Sequence, residues 1–273
     1  MPSKPSPHTL ALLQAFVVTF LWSTSWVLIK IGLQDLPALL FSGMRYALAF
    51  LILLSLAFQP ALRPLYTKLK IRHWLLLLVY GLVLYSLAQG ALFLGLAGLP
   101  AASVGLMLNF TSLLVAFMGL IFLKEKLRWL GWCGIALSTA GAVVYYYPIS
   151  IPPSQAARLL AVSIGVLANA VAVILGRHIN HREYLPPVAV TAISMGVGGF
   201  VLLAVGLGLD GFPHLTWKLW AIIAWLSLVN TAFAFTLWNH TQRTLQAVET
   251  SLVNNTMLVQ IALLVWVFLG ESV

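Results

Sequence analysis

The chain has 273 residues, 61% of them hydrophobic and only 8% charged, with a formal net charge of +9. A soluble domain carries about 25% charged residues, so no aqueous surface can be built here, and a mean hydropathy of +0.99 marks an integral membrane protein. The positive balance does not imply a nucleic-acid partner, because the 15 basic residues sit singly or in small groups between apolar runs.

A spanning helix needs about 20 mainly apolar residues, and nine stretches qualify along the chain. The first, residues 10–31, is longer than the roughly 7–15-residue core of a signal peptide. No small-residue cleavage site follows it, so it reads as a retained span. The second, 36–57, begins after Gln34, Asp35 and a turn at Pro37. A segment with Pro60, Pro64 and four basic residues leads into 74–98. Gly98, Leu99 and Pro100 make a tight hairpin into 101–123, and 128–147 follows. A Pro- and Ser-rich stretch, 148–155, divides the chain. Beyond it lie 157–177, 186–208, 217–239 and 247–269, separated by polar turns. The single cysteine, Cys133, excludes an intrachain disulfide.

Basic residues favour the cytoplasmic face. With the N-terminus in the cytoplasm, 11 of the 15 fall on inner loops and ends; Lys30, Arg158 and Lys218 fall outside, and Arg45 lies within a span. The N-terminus is therefore expected inside.

Residues 99–125, LPAASVGLMLNFTSLLVAFMGLIFLKE, recur without a gap as 245–271, LQAVETSLVNNTMLVQIALLVWVFLGE, at an offset of 146. Eight of the 27 positions are identical, including Asn109/Asn255 and Glu125/Glu271, where composition alone would give two or three. A single long-period repeat inside apolar segments indicates a duplicated membrane bundle. The first copy holds five spans, an odd number, so the second starts on the opposite side of the membrane. The expected fold is all-α and polytopic, an inverted repeat of five-helix bundles. Residues 1–148 form the N-terminal repeat with five helices, and 156–273 the C-terminal one with four. At the same offset a tenth helix would start near residue 274, so the sequence reads as a truncated chain or a fragment.

Three motifs carry a family resemblance. Leu21-Trp22-Ser23 through Lys30, then Pro37 and Arg45, resembles the opening pattern of the EamA-type ten-helix exporters of the drug/metabolite transporter superfamily. Leu123-Lys124-Glu125 followed by Gly131 and Gly141 resembles the pattern closing their first half, with Lys124 standing where the family usually has Gly. Leu269-Gly270-Glu271 is the second copy. The resemblance implies export or exchange of small metabolites across the inner membrane.

Polar groups in hydrocarbon are costly, so each needs a reason. Gln89, Asn109, Asn169, Asn230 and Asn255 each lie within three residues of their estimated span midpoints, or about 4–5 Å of helix rise. Five carboxamides at one depth fit a substrate site at a repeat interface. Each offers a donor and an acceptor without charge. The alternative is interhelical hydrogen bonding, worth about 0.6–2 kcal/mol each. Trp22 is deep enough to face the bundle or a cavity, whereas the serines beside it suit close helix packing. Arg45 either serves structure, by snorkelling or by satisfying carbonyls, or attracts an anionic solute. Glu249, the only acid placed within a span, is the candidate proton carrier or else an interfacial carboxylate at a helix N-terminus. Glu125 and Glu271 are expected to cap the start of the next helix.

No catalytic residues are assigned: the six acids and six histidines lie almost entirely in loops or at helix ends. No H-E-x-x-H metal motif and no TVGYG-like filter occur. The reading is a secondary transporter working by alternating access, with no metal or cofactor. Its partners are a small-molecule substrate and the lipid bilayer, and its oligomeric state is not legible. An integral membrane enzyme or a lipid flippase acting in the groove between halves is the alternative.

Overall fold

The computed structural model describes residues 6–125, 129–146 and 153–270. Helix α1 runs Pro7–Gly32, with the Ser6 hydroxyl accepting from the Thr9 amide at its start. Helix α2 runs Ala38–Ala57 behind Pro37. A 3₁₀ turn, Pro60–Leu62, and one helical turn, Arg63–Tyr66, lead to α3, Ile71–Leu96. Helix α4, Ala101–Met118, continues as a π turn over Gly119–Leu123, and α5 runs Trp129–Tyr146. After a 3₁₀ turn at Pro153–Gln155 come α6, Ala156–His181, and α7, Pro187–Asp210. Helix α8 runs Trp217–Thr241 and α9 Ala247–Leu269.

No strand occurs among the described residues, and eight of these helices are long and apolar enough to cross a bilayer. The remaining one, α5, has 18 residues, about 27 Å of rise against a hydrocarbon layer of about 30 Å. The expected spans are thus present as helices, with α1, α6 and α8 longer than expected by two to five residues and α2 and α5 shorter by two. Glu271 lies outside the described residues, as do 147–152 in the expected divide between halves.

Proline sets several starts. Pro37 and Pro100 stand at the N-cap of their helices, while Pro187 opens α7; there the missing N–H costs nothing, because the first amides of a helix have no intrahelical partner. Helices α2 and α7 lie closest together. A Cβ at Gly43 would stand 2.4 Å from the Leu203 backbone nitrogen, and one at Gly206 would stand 2.6 Å from that of Leu40. Only a residue without a side chain permits that approach, which is how helices gain dispersion contact where lipid offers no hydrophobic drive. Large side chains such as Leu13, Phe16 and Phe20 of α1, and Trp266 and Phe268 of α9, stay exposed. In a bilayer they meet acyl chains.

Two helices carry a π turn in mid-span, at Leu82–Ala88 in α3 and at Leu228–Phe233 in α8. Their first residues are 146 positions apart, the offset of the sequence repeat. Lys124 after α4 and Gly270 after α9 both take the left-handed conformation, at φ 56° and 66°, again 146 apart. Helices α1 and α6 have the same length, 26 residues. Helix α9 is interrupted at Thr256, between Ala247–Asn255 and Met257–Leu269.

Candidate functional site: a cavity among the spans

A cavity of about 100 Å³ lies among the helices, with wall residues from α1, α2, α3, α4, α6, α8 and α9. That is room for several waters or one small solute.

One wall is aromatic. The Trp22 ring of α1 lies 4.8 Å from Phe235 and 5.0 Å from Trp238 of α8, tilted to both. Its Nε1–H donates to the Asn230 carbonyl at 3.2 Å. That carbonyl belongs to the π turn of α8, and π turns re-aim backbone groups that a regular helix would keep in its ladder. Arg45 of α2 also uses it: Nη2 donates to the Asn230 carbonyl at 3.2 Å and Nε to the Thr231 hydroxyl at 2.6 Å. Arg45 is 3% exposed yet lines the cavity. Its guanidinium carbon lies 5.4 Å from the Tyr46 ring centroid and 6.0 Å from that of Phe93.

The carboxamides divide. Gln89 lines the cavity and its Oε1 accepts from the Tyr46 hydroxyl at 2.9 Å. Asn169 lines it with no hydrogen-bond partner among the described residues. Asn255 lines it and donates from Nδ2 to the Ser112 hydroxyl at 2.8 Å. Asn109 instead borders an adjoining space of about 20 Å³ that shares Asn254 and Asn255 with the main cavity. Asn230 is fully buried and is not brought to the wall. Its Nδ2 donates to the Leu21 carbonyl and the Thr24 hydroxyl, tying α8 to α1.

Glu249 also lies off the cavity. It stands in the first turn of α9, where Oε2 accepts from the Gln246 amide at 2.8 Å and Oε1 lies 3.0 Å from His8 Nε2. Ser23 donates to the Thr19 carbonyl and to Gln260, both contacts between or within helices.

Sequence reasoning missed the floor of the site. Tyr80 and Gln242 line the cavity and sit on a buried lattice. The Tyr80 hydroxyl donates to Asn239 Oδ1 at 3.2 Å, Asn180 Nδ2 donates to the same oxygen at 2.7 Å, and Asn239 Nδ2 donates to the Thr191 hydroxyl at 2.8 Å. Gln242 Oε1 lies 3.3 Å from Asn180 Nδ2. Four helices, α3, α6, α7 and α8, meet there. Asn180, Asn239 and Gln242 stand at helix ends, where polar residues read as turns; the signal that finds them is three carboxamides at the same ends of two helices.

Below the lattice, Arg177 of α6 donates from Nε to Glu125 Oε1 at 3.0 Å and from Nη1 to the Gln242 carbonyl at 2.6 Å. Glu125 Oε2 accepts from the Ala247 amide at 2.9 Å. Glu125 therefore caps α9, 122 positions on; the residues leading into the next helix, which its place in the sequence suggested it would cap, lie outside the described ones. The first amides of α9 are orphaned whatever precedes them in the chain, so a carboxylate from across the bundle serves as well as a neighbour. At the other end the cavity meets an apolar cluster that includes Ile29, Phe41, Phe93 and Leu96, and Lys30 Nζ donates to the Leu99 carbonyl at 2.7 Å.

No Asp, Glu, Lys or His lines the cavity, and no cluster that would hold a metal occurs among the described residues. The lining offers hydrogen-bonding groups, ring faces and one guanidinium.

The pattern of the EamA-like transporter family matches residues 9–147 and again 157–273. The uncharacterized transporter YoaV of Bacillus subtilis is 22% identical over 240 residues, covering 86% of this chain and 80% of that one. A probable amino-acid metabolite efflux pump of Salmonella typhimurium is 28% identical over 240 residues, covering 82% and 75%. A solved crystal structure shares the fold, with a TM-score of 0.75 over 98% of this chain and 91% of that one at 19% identity. With both segments matched, the chain belongs to the EamA-like transporter family, as a multi-pass, all-helical membrane transport protein.

Proposed function

We propose that the chain is a secondary transporter that exports amino-acid-like or amphipathic metabolites across the inner membrane by alternating access around the central cavity. The observation that carries this reading is the cavity itself. It is buried among helices long enough to span a bilayer, is lined by neutral amides and aromatic faces, and draws its wall from both parts of the chain. Neutral donors and acceptors bind a polar solute and release it, which a transporter requires; fixed opposite charges would hold it.

Residues 1–148 and 156–273 form the two inverted repeats in this proposal. The π turns and left-handed caps spaced at 146 support it. So does the odd number of spans in the first part. The distribution of basic residues supports a cytoplasmic N-terminus. That orientation puts the lattice under Tyr80 and the Glu125–Arg177 pair at the cytoplasmic end of the cavity. Both must part when the cavity opens inward. The 28% identity to a probable amino-acid metabolite efflux pump supports the substrate class.

Counterflow in liposomes tests the reading. Purified protein with unlabelled L-amino acids inside is expected to accumulate the labelled amino acid transiently. Asn169→Leu is expected to lower that uptake, whereas Asn230→Leu lowers the melting temperature first. Absence of counterflow across amino acids and small amphipathic amines and acids overturns the reading.

A further inference from the structure

We propose that Arg45 is the receptor for the substrate's anionic group, so that the transporter selects solutes carrying a carboxylate. This rests on the transporter reading above and narrows its substrate class.

Arg45 is 97% shielded, sits in mid-helix and forms no ion pair among the described residues. A buried guanidinium without a counter-charge is costly, and the groups around it satisfy it only in part. Nε is used by the Thr231 hydroxyl and Nη2 by the Asn230 carbonyl. Nη1 has no acceptor among the described residues, and the residue lines the cavity. The two neutral bonds fix the orientation of the fork and leave its remaining edge open. A carboxylate there makes charge-assisted hydrogen bonds in the geometry that a guanidinium matches. No acid lines the cavity to compete for the charge.

The same backbone carbonyl orients the neighbouring ring. Trp22 Nε1 and Arg45 Nη2 both donate to the Asn230 carbonyl, each at 3.2 Å. A solute whose carboxylate meets Arg45 therefore has an indole face beside it, backed by Phe235 and Trp238. Anionic head and apolar or aromatic body are read from one anchored pair. The π turn of α8 is what presents that carbonyl to α1 and α2 together.

The test compares a carboxylate with its isosteric amide: L-phenylalanine against L-phenylalaninamide, and phenylacetate against phenylacetamide. Binding to the purified full chain in detergent is measured by calorimetry, and exchange by counterflow. The wild type is expected to prefer each carboxylate over its amide by about 30-fold or more, the loss that follows truncation of a buried charged hydrogen-bond partner. Arg45→Gln is expected to abolish that preference, leaving the amide's binding as it was. Arg45→Lys keeps the charge but not the fork, and is expected to retain a reduced preference. Thr231→Val, which frees Nε without touching the charge, guards against a folding artefact, and its expected result is a preference weakened but present. Equal binding of acid and amide by the wild type overturns the inference while transport of either keeps the transporter reading. An undiminished preference in Arg45→Gln also overturns it. No binding or exchange of any of the four compounds overturns the inference, while the transporter reading falls only with the broader counterflow screen above.

Discussion

At the scale of single residues, depth was legible in the sequence and direction was not. Counting helix rise put five carboxamides near mid-span, yet only Gln89, Asn169 and Asn255 face the cavity, Asn109 borders its annex, and Asn230 is spent on α1. In a soluble helix an apolar stripe would tell the inner face from the outer one. Here lipid and protein interior are both apolar, so the stripe fades. Lys124 was legible in another way. It stands where the resembling family has Gly, and it takes φ 56°. A left-handed residue with a Cβ costs about 1–2 kcal/mol that glycine avoids. Since the Lys124 side chain is exposed, Lys124→Gly is expected to raise unfolding stability by about 1 kcal/mol, seen as a higher melting temperature; an unchanged or lower value contradicts the strain argument. Glu249 belongs to this scale too. With its carboxylate held by the Gln246 amide and beside His8, Glu249→Gln is expected to keep any response of transport to a pH gradient. The variant loses only about 1 kcal/mol of cap energy. A lost response would make Glu249 the proton carrier.

At the scale of elements, prolines and polar turns marked most helix boundaries to within a few residues. The π turns at Leu82–Ala88 and Leu228–Phe233 left no such mark. No Pro or Gly occurs in either, because the extra residue in the turn is tolerated by packing around it and is not demanded by local sequence. The interruption of α9 at Thr256 is equally silent. Glu125 was visible as a capping acid, but its partner was not, since Ala247 lies 122 positions away. The pair with Arg177 is largely shielded, at 11% and 10% side-chain exposure. Glu125→Ala leaves Arg177 without its counter-charge and α9 without one of its caps. It is expected to cost about 2–4 kcal/mol, less than a fully buried pair because some water reaches it. A drop in melting temperature of several degrees, partly restored in Glu125→Gln, checks this; a change within error would show that the pair does not hold α9.

At the scale of the whole molecule, alternating access requires motion between the two parts of the chain. Glu125 and Arg177 join α4 and α6 to the start of α9, and Gly119 faces Val248 across the same seam: a Cβ at Gly119 would stand 3.6 Å from Val248 Cγ2. The two positions are therefore neighbours across the seam, and a disulfide between them would draw their Cβ atoms to about 3.5–4.5 Å. The exposed Cys133 is the only native cysteine, so a Cys133→Ser background isolates the pair. The most direct measurement is counterflow by Gly119→Cys/Val248→Cys protein in that background, oxidised and then reduced. If the cavity must open at this seam, the oxidised protein binds substrate but exchanges none, and reduction restores exchange. Full exchange by the oxidised, cross-linked protein would contradict alternating access through this end of the molecule.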